Sequence, residues 1–300
     1  VRNTYPKKAD NYVSRQGKAQ FSEGGLAHDV FNSVRDFGLV PVDAYSGLIG
    51  NNERHNHAEM VSVLTAMLDI YIKNPGRSLD PKWREAYAAV LDVYLGKNIT
   101  EFNYEGIQYT PKSFAEMVKI NANDYVNITS FTQAPFYNSF ILNIPDNFSN
   151  GSFNNVPIDD LVSIIDNALE NGYTVEIDCD VSEKTFSSKD GVAVVPSNIL
   201  NNLKALHSIY PEMNVTQEYR QQEFENFKTT DDHLMHITGT VKDQNGNIYY
   251  KVKNSWGSDE KRTKFGGYVY FSEPYVRLKT ISITLHKEGV PKNIAKKIGI

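Results

Sequence analysis

Apolar residues recur at helical spacing through the first third of the chain. Leu26, Val30 and Val34 fall on one face of a predicted helix, Leu26–Phe37, and Gly38 follows where a C-terminal cap is expected. Similar patterns bounded by caps and breakers predict further helices at Ala58–Lys73, stopped by Asn74-Pro75-Gly76, at Asp80–Leu95, closed by Gly96, and after Thr110-Pro111.

After about residue 130 the pattern becomes strand-like. One more helix, Ile158–Glu170, is expected to end at Asn171-Gly172. The segment Asp243–Asn247, with its Asn-Gly step, is a hairpin turn signal between two of the strands. The predicted strands are Tyr173–Cys179, Leu234–Val241, Ile248–Lys253, Tyr268–Phe271 and Val276–His286.

This order of elements predicts the fold class. Helices first and antiparallel strands last are typical of an α+β protein in two lobes. We expect a helical lobe over residues 1–130 and a β-rich lobe over residues 131–300. The Asn-rich stretch Asp146–Asn155 is the nearest feature to a linker.

Composition and charge narrow the function classes. The 300 residues are 40% hydrophobic, enough for a sizeable core, and 31 Lys and Arg against 36 Asp and Glu leave a net charge of −5. Without basic blocks, the chain lacks the electrostatic footprint of a protein that binds nucleic acid or an anionic membrane. No apolar run approaches the roughly 18–20 residues that a bilayer span needs. The single cysteine allows no internal disulfide, which is compatible both with a reducing cytosol and with a secreted protein that uses no disulfides.

His55, His57 and Glu59 superficially suggest a metal site. Their spacing differs from the HExxH arrangement, in which two imidazoles share one helical face. No cysteine and no second histidine cluster lies nearby in the sequence. We therefore interpret the stretch as a polar loop that leads into a helix, and we predict no metal and no organic cofactor.

Cys179 is the only thiol in the chain. A catalytic cysteine needs a stabilised thiolate, typically beside a histidine or at a helix N-terminus. Cys179 instead lies within a predicted strand between Asp178 and Asp180, and negative charges raise the pKa of a thiol. We interpret it as a structural residue.

The segment from His233 to Trp256 contains the residues of a catalytic dyad. His233 opens one predicted strand and Asn254 closes its hairpin partner, so antiparallel pairing brings both to one edge of a sheet. An Asn oxygen can hold one imidazole nitrogen and leave the other free as a base, and Trp256 would shield that bond from water. On spacing alone, two thirds of a Cys-His-Asn triad and an edge histidine satisfied by a nearby amide are comparable hypotheses. His236 is expected on the opposite sheet face and is the weaker base.

These residues resemble the His and Asn regions of papain-like cysteine peptidases. The resemblance consists of Asp-His-Leu-Met at 232–235, Lys-Val-Lys-Asn-Ser-Trp-Gly at 251–257 and Gly-Gly-Tyr-Val at 266–269. Ser-Glu-Gly-Gly at 22–25, followed by Phe-Gly-Leu-Val-Pro at 37–41, is similar to the Gly-Gly turn of that family and the helix after it. The resemblance implies a papain-like α+β fold with the active cleft between the lobes.

Further stretches look like the bleomycin hydrolase/aminopeptidase C branch of that family. They are the long helical region between about 50 and 120, Asn171–Val175, Cys179–Ser182, Pro135–Tyr137 and Asp146–Phe148. Members of this branch are aminopeptidases whose C-terminal tail runs into the cleft and blocks its non-primed side. The corresponding tail here is Glu288–Ile300. The resemblance also implies a peptide substrate, a homo-oligomer of the hexameric kind and a cytoplasmic protein.

The resemblance assigns roles residue by residue. His233 is expected to be the general base and Asn254 the residue that orients it. Gly25, the second glycine of the Gly24-Gly25 turn, is expected to pair with the substrate main chain, since a side chain there would block close backbone approach. Asp232 is expected to tune the charge of the histidine or to bind substrate.

The nucleophile of the family is not among these residues. In papain-like peptidases a Gln…Cys-Trp stretch precedes the Gly-Gly turn, and the residues before Gly25 contain no Cys-Trp. Three hypotheses stay open: a piece of a longer peptidase, the heavy chain of a two-chain enzyme whose N-terminal segment is a light chain, or a pseudopeptidase that binds peptides without cutting them. Under the first two, the parent protein is an aminopeptidase and the 300-residue chain alone is inactive.

Overall fold

The structure is a computed structural model that describes residues 2–50, 54–73, 80–259 and 261–300. The chain divides into two compact units. The first consists of Val1–Ala122 with Asn143–Gly151, and the second of Asn123–Leu142 with Ser152–Ile300. Helices dominate the first unit and strands the second, which confirms the predicted α+β class.

The first unit is largely helical. Its described elements are helices α1 (Tyr5–Ser14), α2 (Ala27–Phe37), α3 (Ala58–Ile72), α4 (Lys82–Leu95) and α5 (Pro111–Met117), and the hairpin strands β1 (Phe102–Tyr104) and β2 (Ile107–Tyr109). Leu64 and Leu68 of α3 and Leu91 of α4 are fully buried in one apolar cluster, which also contains Tyr5 and Ala9 of α1. This cluster is the reason that the apolar stripes of these helices face inwards.

Local capping agrees with the sequence signals in this unit. The Thr110 hydroxyl accepts the Ser113 N–H at 3.2 Å and so caps α5, as predicted. The Asp80 carboxylate accepts the Lys82 N–H at 3.0 Å at the start of α4. The predicted stop at Asn74-Pro75-Gly76 lies outside the described residues.

The second unit is built around one sheet. Its strands are β3 (Tyr125–Thr129), β4 (Ser139–Ile141), β5 (Ser152–Asn155), β6 (Val175–Cys179), β7 (Phe186–Ser187), β8 (Val192–Ala193), β9 (His233–Lys242), β10 (Ile248–Lys253), β11 (Tyr268–Ser272) and β12 (Thr280–His286). Its helices are α6 (Ile158–Glu170), α7 (Asn202–Ala205), α8 (Gln217–Glu225), α9 (Glu273–Lys279) and α10 (Lys292–Ile298).

The described strands form a ten-stranded sheet in the order β4-β5-β3-β12-β6-β9-β10-β11-β8-β7. The pairs β3–β5 and β11–β8 are parallel, and the others are antiparallel. Helix α6 buries Ile164 and Ile165 in the same apolar cluster as Ile177 of β6, Ile237 of β9 and Val252 of β10. The core of this unit therefore lies between α6 and the three central strands that carry the candidate site.

The division into units differs from the predicted boundary at residue 130. Strand β3 pairs with β12 near the end of the chain, so residues 123–142 belong to the second unit. The stretch predicted as nearest to a linker is packed rather than extended. Asn147 is buried and exchanges hydrogen bonds with the Gly151 backbone, and the buried Asn155 amide donates to the carbonyls of Phe131 and Ala134.

The prediction of a strand over Val276–His286 is wrong for its first four residues. Residues Glu273–Lys279 form helix α9, and the strand begins only at Thr280. The Ser272 hydroxyl accepts the Tyr275 N–H at 3.2 Å, and Pro274 occupies the first turn. This cap and the burial of Val276 and Leu278 place these residues in a helix, while the β-branched run that favours a strand begins only at Thr280.

The hairpin between β9 and β10 follows the predicted turn. The Asp243 carboxylate accepts the N–H groups of Asn245 and Asn247 at 2.8 and 2.9 Å, and Gly246 has a φ of +85°. A positive φ is readily adopted by glycine and favours this residue in the turn. Among the described helices, none has both the length and the apolar character that crossing a membrane requires.

Glu176 of β6 is an acid in the interior of the sheet. Its Oε1 is buried without a hydrogen-bond partner among the described residues. Burial raises the pKa of Glu176 to about 8, although hydrogen bonding to Thr284 lowers it. The carboxyl group is therefore mostly protonated in the folded protein at neutral pH.

We expect Glu176→Gln to remove a loss of stability that grows as pH rises from about 4 to about 8. In the unfolded chain the carboxyl pKa returns to about 4.3, so the contribution of the protonated form is complete below that value and is lost as pH rises through about 8. By pH 9 the free energy of unfolding of the variant should have risen relative to that of the wild type by about 5 kcal/mol from its relative value at pH 4. Urea unfolding followed by circular dichroism at pH 4, 7 and 9 measures this, with Glu218→Gln on the exposed side of α8 as control. Equal pH dependence of all three proteins would contradict the prediction.

Candidate active site

Three adjacent strands bring the candidate site residues of the second unit together. His233 is the first residue of β9 and pairs with Cys179, the last residue of β6. Asn254 directly follows β10, which pairs with β9 on its other side. The predicted proximity of His233 and Asn254 at one end of the sheet is therefore present.

A β-bulge in β9 places their side chains on one face. Near the turn Lys251 pairs with Gly239, but the next residue, Val252, pairs with Ile237, so Thr238 is the extra residue. In the unshifted register Asn254 would lie opposite His236, on the sheet face away from His233. Because side chains alternate between faces, the one-residue shift moves Asn254 to the face of His233.

The imidazole of His233 is held by Asn254. Its Nε2 lies 2.9 Å from the Asn254 Oδ1, and the same oxygen accepts the Ser255 N–H at 2.7 Å. Since this oxygen acts as an acceptor, the imidazole Nε2 must be the donor. In a neutral ring the Nδ1 then keeps its lone pair and is available as a proton acceptor.

Trp256 covers the imidazole from one side. The ring centroids of His233 and Trp256 lie 4.9 Å apart at an interplanar angle of 32°. Phe186 packs against Trp256 edge to face at 6.1 Å. The indole remains 45% exposed, so it shields one face of the His233–Asn254 contact while its own outer face reaches solvent.

Cys179 has the surroundings of a structural thiol. It is fully buried, and its sulfur lies 3.8 Å from the backbone oxygen of His233, to which it donates. Burial raises the pKa of the Cys179 thiol far above its ordinary value, and the carboxylates of Asp178 and Asp180 raise it further. These surroundings disfavour the thiolate and agree with the interpretation made from the sequence.

Asp232 lies directly before His233 and faces other acidic groups. Its Oδ1 accepts the Thr230 hydroxyl at 2.7 Å and its Oδ2 accepts the Val181 N–H at 3.3 Å. Desolvation raises the pKa of the Asp232 carboxyl, the hydrogen bond from Thr230 lowers it, and the Asp180 carboxylate raises it again. The carboxylate is thus tied to the backbone around the histidine, and a contact with substrate stays a prediction.

The Gly24-Gly25 turn belongs to the first unit. The buried Lys8 ammonium donates to the carbonyl oxygens of Ser22 and Gly24. The N–H and C=O of Gly25 form no hydrogen bond within the described part of the chain. Gly25 therefore has a free main-chain donor and acceptor, which is what pairing with an extended peptide requires.

Sequence reasoning missed the side chains that support this turn. Lys8 lies in α1, which was not predicted, and Asp146 lies far along the chain beside Gly24. Gln20 donates to the Asp146 carboxylate at 3.1 Å. No local sequence pattern predicts these contacts, because they join segments that are distant in sequence.

The histidines considered for a metal site do not converge on a common point with carboxylates. The rings of His55 and His57 lie 6.0 Å apart, and the Glu59 carboxylate accepts the Tyr94 hydroxyl at 2.6 Å. Over the ranges that the structure describes, no group of three or more His, Cys, Asp or Glu is arranged to hold a metal ion.

Comparison with known proteins identifies the family. The sequence pattern of the Peptidase C1-like family matches residues 96–299. The chain belongs to the Peptidase C1-like family. Membership confirms the predicted resemblance to papain-like peptidases and supports a hydrolase of the cysteine peptidase type.

One solved structure supports the fold of this C1-like chain. The crystal structure of PepW from Lactobacillus rhamnosis HN001 matches with a TM-score of 0.74 at 17% identity, over 99% of this chain and 72% of that one. Bromelain from Ananas comosus in complex with the E64 inhibitor matches 61% of this chain and 58% of its own at 14% identity, with a TM-score of 0.26, which is too low to indicate a common fold. No curated protein sequence matches significantly.

The two glycines of the turn should respond differently to substitution. A Cβ at Gly24 would overlap the Asp146 carboxylate, whereas a Cβ at Gly25 would lie 3.5 Å from the Phe148 ring, an ordinary contact. We expect Gly24→Ala to lower the free energy of unfolding by about 1–2 kcal/mol and Gly25→Ala by less than about 0.5 kcal/mol. Denaturant unfolding followed by the fluorescence of Trp83, in a Trp256→Phe background, measures this.

A double-mutant cycle tests the physical reason. In an Asp146→Ala background the overlap is gone, so Gly24→Ala should cost much less than in the wild type. An equal cost in both backgrounds would show that the Asp146 carboxylate is not what excludes a side chain at Gly24.

Proposed function

We propose that the protein is a cysteine-type aminopeptidase, which hydrolyses N-terminal residues of peptides through a Cys-His-Asn triad. His233 is the general base and Asn254 orients it, and the cysteine comes from polypeptide outside these 300 residues. The observation that carries the proposal is the 2.9 Å contact between His233 Nε2 and Asn254 Oδ1, in which the oxygen also accepts the Ser255 N–H.

The proposed reaction steps follow from the tautomer of His233, in which Nε2 carries the proton and Nδ1 is free to accept one. The free Nδ1 of His233 takes the proton of the incoming thiol, and the thiolate attacks the scissile carbonyl carbon. The peptide C–N bond breaks when the imidazolium returns this proton to the leaving amine, which leaves a thioester. Water, deprotonated by the same imidazole, then attacks the thioester and releases the carboxylic acid and the thiol. Asn254 stabilises the imidazolium of each half-reaction by accepting its Nε2–H.

Cys179 is excluded as the nucleophile by its surroundings. It is fully buried, and burial and two flanking carboxylates raise the pKa of its thiol. A nucleophilic thiol needs the reverse, a cationic and accessible setting. The proposal therefore requires a second thiol next to His233, supplied in cis by a longer chain or in trans by a light chain.

The aminopeptidase part of the proposal rests on the resemblance to the bleomycin hydrolase/aminopeptidase C branch. The segment expected to limit the substrate is Glu288–Ile300. Its helix α10 buries Ile294 in the core of the second unit, Asn167 of α6 donates to the Gly289 carbonyl, and Ile300 at its end is 44% exposed. Helix α10 thus packs firmly on the second unit, and the approach of this segment to the α-ammonium group of a peptide is part of the proposal.

A second candidate function is a pseudopeptidase that binds peptides without cutting them. The free main-chain groups of Gly25 and the burial of Cys179 favour it, because backbone pairing needs no nucleophile. The two functions differ in whether a reactive thiol is present in the native protein.

We expect His233→Ala to lower kcat/KM of the active parent protein by at least about a thousandfold, and Asn254→Ala by about ten- to a hundredfold. The larger loss follows because the base is removed, whereas the orienting residue only holds it. The measurement is hydrolysis of aminoacyl-fluorophore substrates by the native protein with all of its polypeptide segments. N-acetylated substrates are the matched test of specificity, because an aminopeptidase leaves them intact.

Cys179→Ser is the control, and it should keep activity. The proposal is wrong if a thiol-directed peptidase inhibitor labels nothing in the native protein, which favours the pseudopeptidase. It is equally wrong if the Cys179 variant alone loses all activity. Cleavage of N-acetylated substrates at the same rate would remove the aminopeptidase part only.

A further inference from the structure

A fully buried lysine lies close to the segment that leads into His233. Lys279, at the junction of α9 and β12, has no solvent exposure. Its Nζ lies 2.6 Å from the Glu183 Oε1 and 3.6 Å from the Asp180 Oδ2, and it donates to the Lys228 carbonyl oxygen at 2.7 Å. One ammonium group thus joins three segments of the second unit.

The position of Lys279 in the sheet explains this reach. Strand β12 neighbours β6, and β6 neighbours β9. From the start of β12 the lysine extends past Asp180, which directly follows β6, to the segment 228–232, which directly precedes β9. The Asp180 N–H also donates to the Lys279 carbonyl at 3.0 Å, so main chain and side chain are joined at the same place.

The fully buried Asp180 carboxylate continues the connection to the histidine. Its Oδ2 accepts the Thr230 N–H at 3.0 Å, and its Oδ1 accepts the N–H and hydroxyl of Ser182, both at 2.7 Å. From the other side, the Asp232 Oδ2 accepts the Val181 N–H at 3.3 Å. The turn after β6 and the segment before β9 are therefore fastened to each other immediately beside His233.

We propose that Lys279 and Asp180 are positioning residues, which fix the segment 228–232 and so hold the His233 imidazole against Asn254. Asn254 restrains the histidine from the β10 side, and the Lys279–Asp180 pair restrains its backbone from the β6 and β12 side. The buried ammonium is compensated by Glu183, Asp180 and the Lys228 carbonyl together, so displacing the turn after β6 or the segment 228–232 removes part of that compensation. The inference that holding the His233 imidazole in place serves catalysis rests on the function proposed above.

The test reads the state of His233 directly in the 15N-labelled protein. The variant Lys279→Met keeps the length of the side chain and removes its charge. Its matched control is Lys287→Met just beyond the other end of β12, where Lys287 pairs at 2.8 Å with Asp124 and is 44% exposed. Two-bond 1H–15N spectra report the tautomer of the imidazole, and hydrogen exchange reports the Thr230 and His233 amides.

In Lys279→Met, exchange at Thr230 and His233 should accelerate on the order of tenfold or more, and the Nε2–H signal of His233 should be lost. Neither should change in Lys287→Met. A folded Lys279→Met protein with wild-type exchange at both amides and an unchanged His233 tautomer would overturn the proposal. A merely structural role would lower the melting temperature without moving these signals.

The double variant Lys279→Met/Asp180→Asn covers the case in which the single variant does not fold. It removes both buried charges, and the Asn oxygen still accepts from Thr230, so it should fold with an intermediate loosening of His233. If neither variant folds, the pair is a requirement of folding and the positioning proposal is wrong. Activity separates the two proposals: an inactive native protein in which Lys279→Met still releases His233 would overturn the proposed function alone.

Discussion

The register between β9 and β10 is the constraint on which the candidate site depends. Thr238 is the one extra residue on β9, and it shifts the pairing of every residue between the bulge and the site. Since strands alternate their side chains, that single residue decides whether Asn254 shares a face with His233 or with His236. The 2.9 Å contact between His233 and Asn254, and the tautomer that follows from it, exist only in the shifted register.

Two neighbouring residues of the sheet end have opposite electrostatic surroundings. Cys179 and His233 are paired residues, yet the thiol is buried between carboxylates while the imidazole has an amide oxygen on one nitrogen. Asp180 and Asp232 disfavour a thiolate at Cys179, and they accept hydrogen bonds from the Thr230 N–H before His233 and from the Val181 N–H after β6. The acidic groups of this region thus hold the turn after β6 against the segment that precedes His233.

Much of the local structure could be predicted because its causes are local. The capping hydroxyl of Thr110 and the Asn-Gly turn near Asn245 act within a few residues, and both are found where the sequence indicates. The strand prediction is wrong over Val276–Lys279, because these residues are buried as part of a helix that Ser272 caps. The β-branched residues that favour a strand begin only at Thr280. Helix α1 was missed because its burial depends on contacts with distant helices.

The sequence by itself determined the class of the fold, the family and the pair His233 and Asn254, because periodicity, turn chemistry and short motifs are read along the chain. Only the tertiary structure decided which imidazole nitrogen is free, which of Gly24 and Gly25 tolerates a side chain, and that Lys279 reaches the segment before His233. These features depend on a one-residue bulge and on contacts between residues far apart in sequence. The periodicity of side chains along the sequence does not predict such a bulge or such contacts, since it is set by neighbours along one strand or helix.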